Sequence, residues 1–134
     1  MKKYMRMIFD RWHTKTGGYM EVEVKNFSMV EDFIIRLDQS EFTEVIIESD
    51  NGILTIAGGN EDYVASIQKK GVYYDLMQSE QLPKSKQIEM MVGGKSTFYN
   101  SSRVVSVNEV LIAVQSFYEN GDRDTTFHWE KRTE

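Results

Sequence analysis

SVNEVLIAVQSFYENGDRDTTFHW, residues 106–129, decides how this chain folds. Val107, Val110, Leu111, Val114 and Phe117 recur at the 3.6-residue period, so they line one buried stripe of an amphipathic helix. Ser106 is a good N-cap, and Glu109 three residues on completes a capping box in which side chain and backbone satisfy each other's free amides. Gly121 stands just past the last periodic residue, where a left-handed conformation ends a helix without steric cost. Thr125, Thr126, Phe127, His128 and Trp129 then read as a strand.

Working outward, Ser28 to Leu37 reads as an earlier helix, with Val30, Phe33, Ile34 and Leu37 on one face and Ser28 with Glu31 as its capping box. Tyr4 to Phe9 and Tyr19 to Phe27 alternate as two strands joined through Thr16-Gly17-Gly18. Thr43 to Glu48 and Ile53 to Ala57 flank Ser49-Asp50-Asn51-Gly52, a hairpin signal. Tyr63 to Lys69, Val72 to Met77 and Ile88 to Val92 are further strands, with Lys69-Lys70-Gly71 as a turn and Lys95 to Tyr99 as a short addition. Gln78 to Lys86, with the only proline, is the longest polar connection. The order predicts an α+β domain, an antiparallel meander with two main helices packed on one face.

That succession resembles immunity protein family one of the bacterial polymorphic toxin and contact-dependent inhibition systems. The resemblance is carried by Leu111, Ala113 and Phe117 on the helix, then Gly121, then a strand ending at Trp129-Glu130. Upstream, Leu54-Thr55-Ile56-Ala57-Gly58-Gly59 resembles the family's strand ending in a glycine pair, and Met91-Val92-Gly93-Gly94 its second glycine-bearing strand. It spans Val45 to Glu130, while the first forty residues match only in the order of their elements. The family often has a proline two or three residues after the helix-ending glycine, where this chain has Arg123-Asp124. The resemblance implies an antitoxin that binds a cognate toxin C-terminal domain in a tight heterodimer and blocks it by contact. Toxins paired with such proteins are commonly deaminases or nucleases. Gly58, Gly59, Gly93, Gly94, Phe117, Gly121 and Trp129 then read as fold determinants.

The 134 residues amount to one domain, 1–134, and chains of this size bury about 70% of their extended surface without staples. No cysteine is present, which removes disulfides and thiolate zinc sites and suits a reducing cytoplasm. The apolar segment after Met1-Lys2-Lys3 is broken by Arg6 and Asp10-Arg11, so no secretory core forms, and no run reaches the ~18 apolar residues of a membrane span. A net charge of -5 disfavours direct contact with nucleic acid and favours a basic protein partner.

Chemistry is hard to find. Gly94-Lys95-Ser96-Thr97 resembles part of a phosphate-binding loop, but that motif needs a glycine where Glu89 stands and a helix where Thr97-Phe98-Tyr99 reads as strand. His13 and His128 share no ligand spacing, and no Gly-x-Ser-x-Gly occurs. The expectation is therefore no enzyme, no cofactor and no metal, in a monomer or weak homodimer when free. What remains is aromatics interleaved with acids: Asp50, Glu61, Asp62, Tyr63, Tyr73 and Asp75 are the candidate partner contacts. On a strand Tyr73 and Asp75 share one face and Tyr74 the other, so the tyrosines either cover the sheet or dock a partner. The alternative is a small-ligand-binding or hydrolytic α+β domain with a pocket between sheet and helices. A purely structural subunit is the third reading.

Overall fold

The computed structural model of the chain describes residues 5–12, 17–78 and 86–132. Tyr4, His13, Thr16 and most of the Gln78–Lys86 connection lie outside the described residues. In chain order the elements are β1 (Met5–Arg11), β2 (Gly18–Glu23), α1 (Phe27–Ile35), β3 (Glu44–Ser49), β4 (Gly52–Gly59), β5 (Asp62–Lys69), β6 (Val72–Met77), β7 (Gln87–Val92), β8 (Lys95–Asn100), a 3₁₀ turn (Ser101–Arg103), α2 (Val107–Asn120) and β9 (His128–Lys131). Seven strands form one sheet in the order β2-β1-β3-β4-β5-β6-β9, every neighbour antiparallel. The fold is α+β, with both helices packed on one face.

Period-two alternation sends Met7, Val45, Ile47, Leu54, Ile56, Ala65, Ile67 and Leu76 to the helix side, where they meet Val30, Ile34, Val110, Val114 and Phe117 in the main core. The opposite faces of the same strands carry Arg6, Glu44, Thr55, Ser66, Gln68 and Asp75. Both faces matter here, because β7 and β8 leave the meander. They pair only with each other and cross the side of the sheet away from the helices. There Met90, Ile88, Val92 and Tyr99 close with Ala57, Val64 and Val104 into a second, smaller core. The single continuous meander read from the sequence is thus interrupted, because an apolar hairpin face needs something to cover and the sheet offers Ala57 and Val64.

α2 follows its capping logic. Ser106 Oγ accepts from Glu109 N, and Glu109 Oε1 accepts from Ser106 N, each at 3.2 Å. Gly121 closes the helix with a positive φ of 72°. The buried stripe is Val110, Ala113, Val114 and Phe117, while Val107 and Leu111 are only partly buried. α1 corrects the sequence reading: its N-cap is Asn26, whose side chain accepts from Met29 N at 3.0 Å, and the Ser28–Glu31 box does not form. Extended backbone at Asn26 lets Phe27 turn into the helix, where its ring meets Tyr118 edge-on at 5.6 Å. The strand expected to reach Phe27 therefore stops at Glu23. The last strand also starts later, at His128, because Asp124 binds Thr126 N at 2.8 Å and holds Thr125-Thr126 in a turn. Trp129 Nε1 donates to Asp124 O at 2.9 Å and fastens that turn to β9.

The glycine pairs act as joints. A Cβ on Gly59 would lie 2.5 Å from Leu37 O, so only glycine lets the end of β4 close against the segment after α1. Gly93-Gly94, both at positive φ, make the tight β7–β8 turn and rest on Tyr19 and Trp12. That turn is also tied to the sheet: Gly93 N donates to Thr43 Oγ1 at 2.9 Å, and buried Asp10 accepts from Thr43 N at 2.7 Å, Glu44 N at 2.9 Å and Trp12 Nε1 at 2.6 Å. The Thr43 hydroxyl also donates to Asp10. Among the described residues no helix is long and apolar enough to cross a membrane.

Candidate functional site

The crossing hairpin covers only part of the sheet face it lies on. Beside it remains a cleft of about 320 Å³, floored by β4 to β6 and walled by Tyr99, Arg103 and Arg132. Register builds the floor: Ile53, Gln68 and Tyr73 stand in one row, and Thr55, Ser66 and Asp75 in the next. Arg103 arrives on the 3₁₀ turn, which Gln78 holds down, its N donating to Ser102 O at 2.8 Å and its Nε2 to Val104 O at 2.6 Å. Arg132 follows β9, and its backbone N donates to Tyr73 O at 2.8 Å.

Asp75 organises the charged end. Arg132 donates through Nη2 to Oδ1 at 2.6 Å and through Nε to Oδ2 at 3.2 Å, while Arg103 Nη2 lies 3.2 Å from Oδ1. Ser66 Oγ accepts more weakly from both, at 3.4 Å from Arg103 and 3.5 Å from Arg132. The Asp75 side chain is 11% exposed, that of Arg103 20% and that of Arg132 42%. Both guanidiniums stand over tyrosine rings, Arg103 at 5.0 Å from the Tyr99 centroid and Arg132 at 4.7 Å from Tyr73. Two cations share one carboxylate, and they share it unequally. The bonds to Asp75 push the Arg132 pKa up, whereas burial pulls the Arg103 pKa down. Glu44 lines the cleft from β3 and accepts from Tyr19 Oη at 2.7 Å. Burial pushes its carboxyl above the usual range, and it raises the Tyr99 hydroxyl as well.

The residues expected to meet a partner do not form one patch. Asp50 is exposed at the β3–β4 turn, and Glu61 and Asp62 are exposed at the β4–β5 turn, the far end of β4. Eight strand residues separate these turns, about 25 Å. Tyr63 is no surface residue: it faces the helices and is 5% exposed. Asp75 is buried between its arginines, and Tyr73, 37% exposed, stands at the cleft. Of the six, Tyr73 and Asp75 come together at the cleft, and Glu61 and Asp62 at the β4–β5 turn. Glu61 and Asp62 join Glu109 of α2 around a second hollow of about 370 Å³.

Arg103, Arg132, Tyr99 and Ser66 escaped the sequence reading. One signal was available: Ser66, Gln68 and Asp75 fall on one face of adjacent strands, and polar residues on a face that a hairpin then approaches must serve each other or a ligand. The pocket expected between sheet and helices is filled by the main core, and the cleft lies on the other face. Among the described residues, no three of His, Cys, Asp and Glu cluster with the geometry of a metal site. Comparison of the sequence with protein-family models and with curated proteins found no match.

Proposed function

We propose that this protein is an immunity protein, a cytoplasmic antitoxin that binds one cognate toxin domain and neutralises it by contact. The resemblance over Val45 to Glu130 motivates the reading. The observation that carries it furthest is the acidic corner at the β4–β5 turn. Glu61 and Asp62 project there, Glu109 flanks them, and neither Glu61 nor Asp62 is in an ion pair among the described residues. A toxin that acts on nucleic acid presents a basic cleft, and carboxylates displayed on a rigid turn imitate the phosphates that such a cleft attracts. Asn60-Glu61 supply that rigidity, because both sit at positive φ in a two-residue hairpin turn.

The division of labour in the chain supports the same reading. Gly58, Gly59, Gly93, Gly94 and Gly121 meet backbone or side chains wherever a Cβ would stand, Phe117 is fully buried, and Trp129 ties a turn. These positions hold the fold, which leaves recognition to exposed ends such as the β4–β5 turn. The test is a titration of a purified toxin domain taken from a reading frame neighbouring the one that encodes this chain. Its activity should vanish at one equivalent of the protein, and Glu61→Gln with Asp62→Asn should slow association at low salt. Full activity at excess inhibitor would overturn the reading.

A second reading, a small-ligand-binding domain, is favoured by one observation, the incompletely bonded guanidinium of Arg103 in the cleft.

A further inference from the structure

Arg103 Nε is buried and finds no acceptor among the described residues. A buried N–H without an acceptor is destabilising, and such groups are few in folded proteins. The neighbours do not cure the deficit. Asp75 gives Arg132 its two oxygens in a forked pair and leaves Arg103 one longer contact, and Ser66 stands at the limit of bonding distance. Two guanidiniums against one carboxylate leave one positive charge over at this end of the cleft.

The rest of the cleft matches an anion with an apolar body. Ile53 and the methyl of Thr55 give the floor apolar surface, and the Tyr99 ring forms a wall. A volume of about 320 Å³ lies at the small end of ligand pockets. We propose that this cleft binds an organic carboxylate, its oxygens on Arg103 and Arg132 and its apolar body between Tyr99 and the floor of β4 and β5. A single surplus charge selects a monoanion over a phosphate dianion, and planar guanidiniums match a planar carboxylate. Glu44, on the far side, is held by Tyr19 and turns the site against ligands with a second negative group at that end. The proposal is independent of the antitoxin reading, since nothing in it requires a toxin.

The carboxylate could belong to a free small acid or to a side chain of a protein partner, and one experiment separates these sources. The arginine Nε–H resonances of the intact protein are followed by NMR during titration with benzoate, N-acetyl-glutamate methylamide, benzyl alcohol and inorganic phosphate. Saturable shifts of the Arg103 Nε–H and the Tyr99 ring with benzoate, and weaker ones with the glutamate derivative, support a free acid. The reverse order supports a partner's side chain. Arg103→Gln should weaken the preferred carboxylate about ten-fold, the value of one charge-assisted hydrogen bond. Thr55→Leu, which fills the floor and leaves every charge in place, should block it as well. Equal shifts with benzyl alcohol, equal shifts with phosphate, or no movement of Arg103 with either carboxylate would each overturn the proposal.

Discussion

Arg132 and Asp75 face each other across the last strand pair as a fork, with Nη2 to Oδ1 at 2.6 Å and Nε to Oδ2 at 3.2 Å. The pair fastens the end of the described chain to β6 and sets the charge of the cleft. Asp75→Asn would leave Arg103 and Arg132 without a counter-charge among the described residues. Breaking a fully buried pair costs about 3 to 5 kcal/mol, but Arg132 is 42% exposed, so a loss on the order of 2 kcal/mol is expected in urea melts. Adding Arg103→Gln should restore part of it. An Asp75→Asn protein as stable as the parent would contradict the role given to this carboxylate.

Gly59 and Gly71 form a controlled comparison. Both have positive φ, but a Cβ on Gly59 would strike Leu37 O at 2.5 Å while one on Gly71 meets no described residue within 4 Å. Gly71→Ala should therefore cost about 1 to 2 kcal/mol, the conformational penalty alone, and Gly59→Ala clearly more. Equal melting midpoints for the two variants would mean that the end of α1 is free to move away from β4.

Helix α2 gives a prediction about depth. Phe117 is fully buried, so Phe117→Ala should cost about 3 to 5 kcal/mol. Leu111 shares the stripe in the sequence but is only partly buried, and Leu111→Ala should cost on the order of 1 kcal/mol. Chemical denaturation of both variants checks the order, and a larger loss at Leu111 would mean that the helix is rotated.

Glu44 makes stability depend on pH. Burial raises its folded pKa above the ordinary 4.5, although the bond from Tyr19 opposes the shift. A raised folded pKa favours the native state fully below the ordinary value, and that contribution is lost as pH rises through the folded value. Glu44→Gln should therefore gain stability relative to the parent between about pH 4 and about pH 7. Urea midpoints at the two ends read the effect, and a relative gain that shrinks with rising pH would contradict it.

The elements visible in the sequence were those whose signals are local. α2 has a periodic stripe, a capping box and a terminal glycine within sixteen residues, and all three are present in the structure. Val72 to Met77 is a strand over those same residues. From the sequence Ser28 reads as the cap of α1, but packing of Phe27 against Tyr118 draws the helix start forward, and Asn26 caps it. The cleft was not legible, because it joins Ser66, Asp75, Tyr99, Arg103 and Arg132 from four separate segments. No spacing rule connects them. The departure of β7 and β8 from the sheet brings Tyr99 and Arg103 over Asp75, and that departure is a tertiary event. The exposed turn acids Asp50, Glu61 and Asp62 were legible as surface, yet their placement at opposite ends of β4 follows only from the register.

The central claim, neutralisation of a toxin domain by contact, is tested most directly by co-expression in a sensitive bacterium. A toxin domain taken from a neighbouring reading frame should kill when expressed alone and be harmless when this protein is made with it. Both proteins should then be recovered intact as a one-to-one complex. Continued killing, with both proteins shown to be folded and present, would contradict the account.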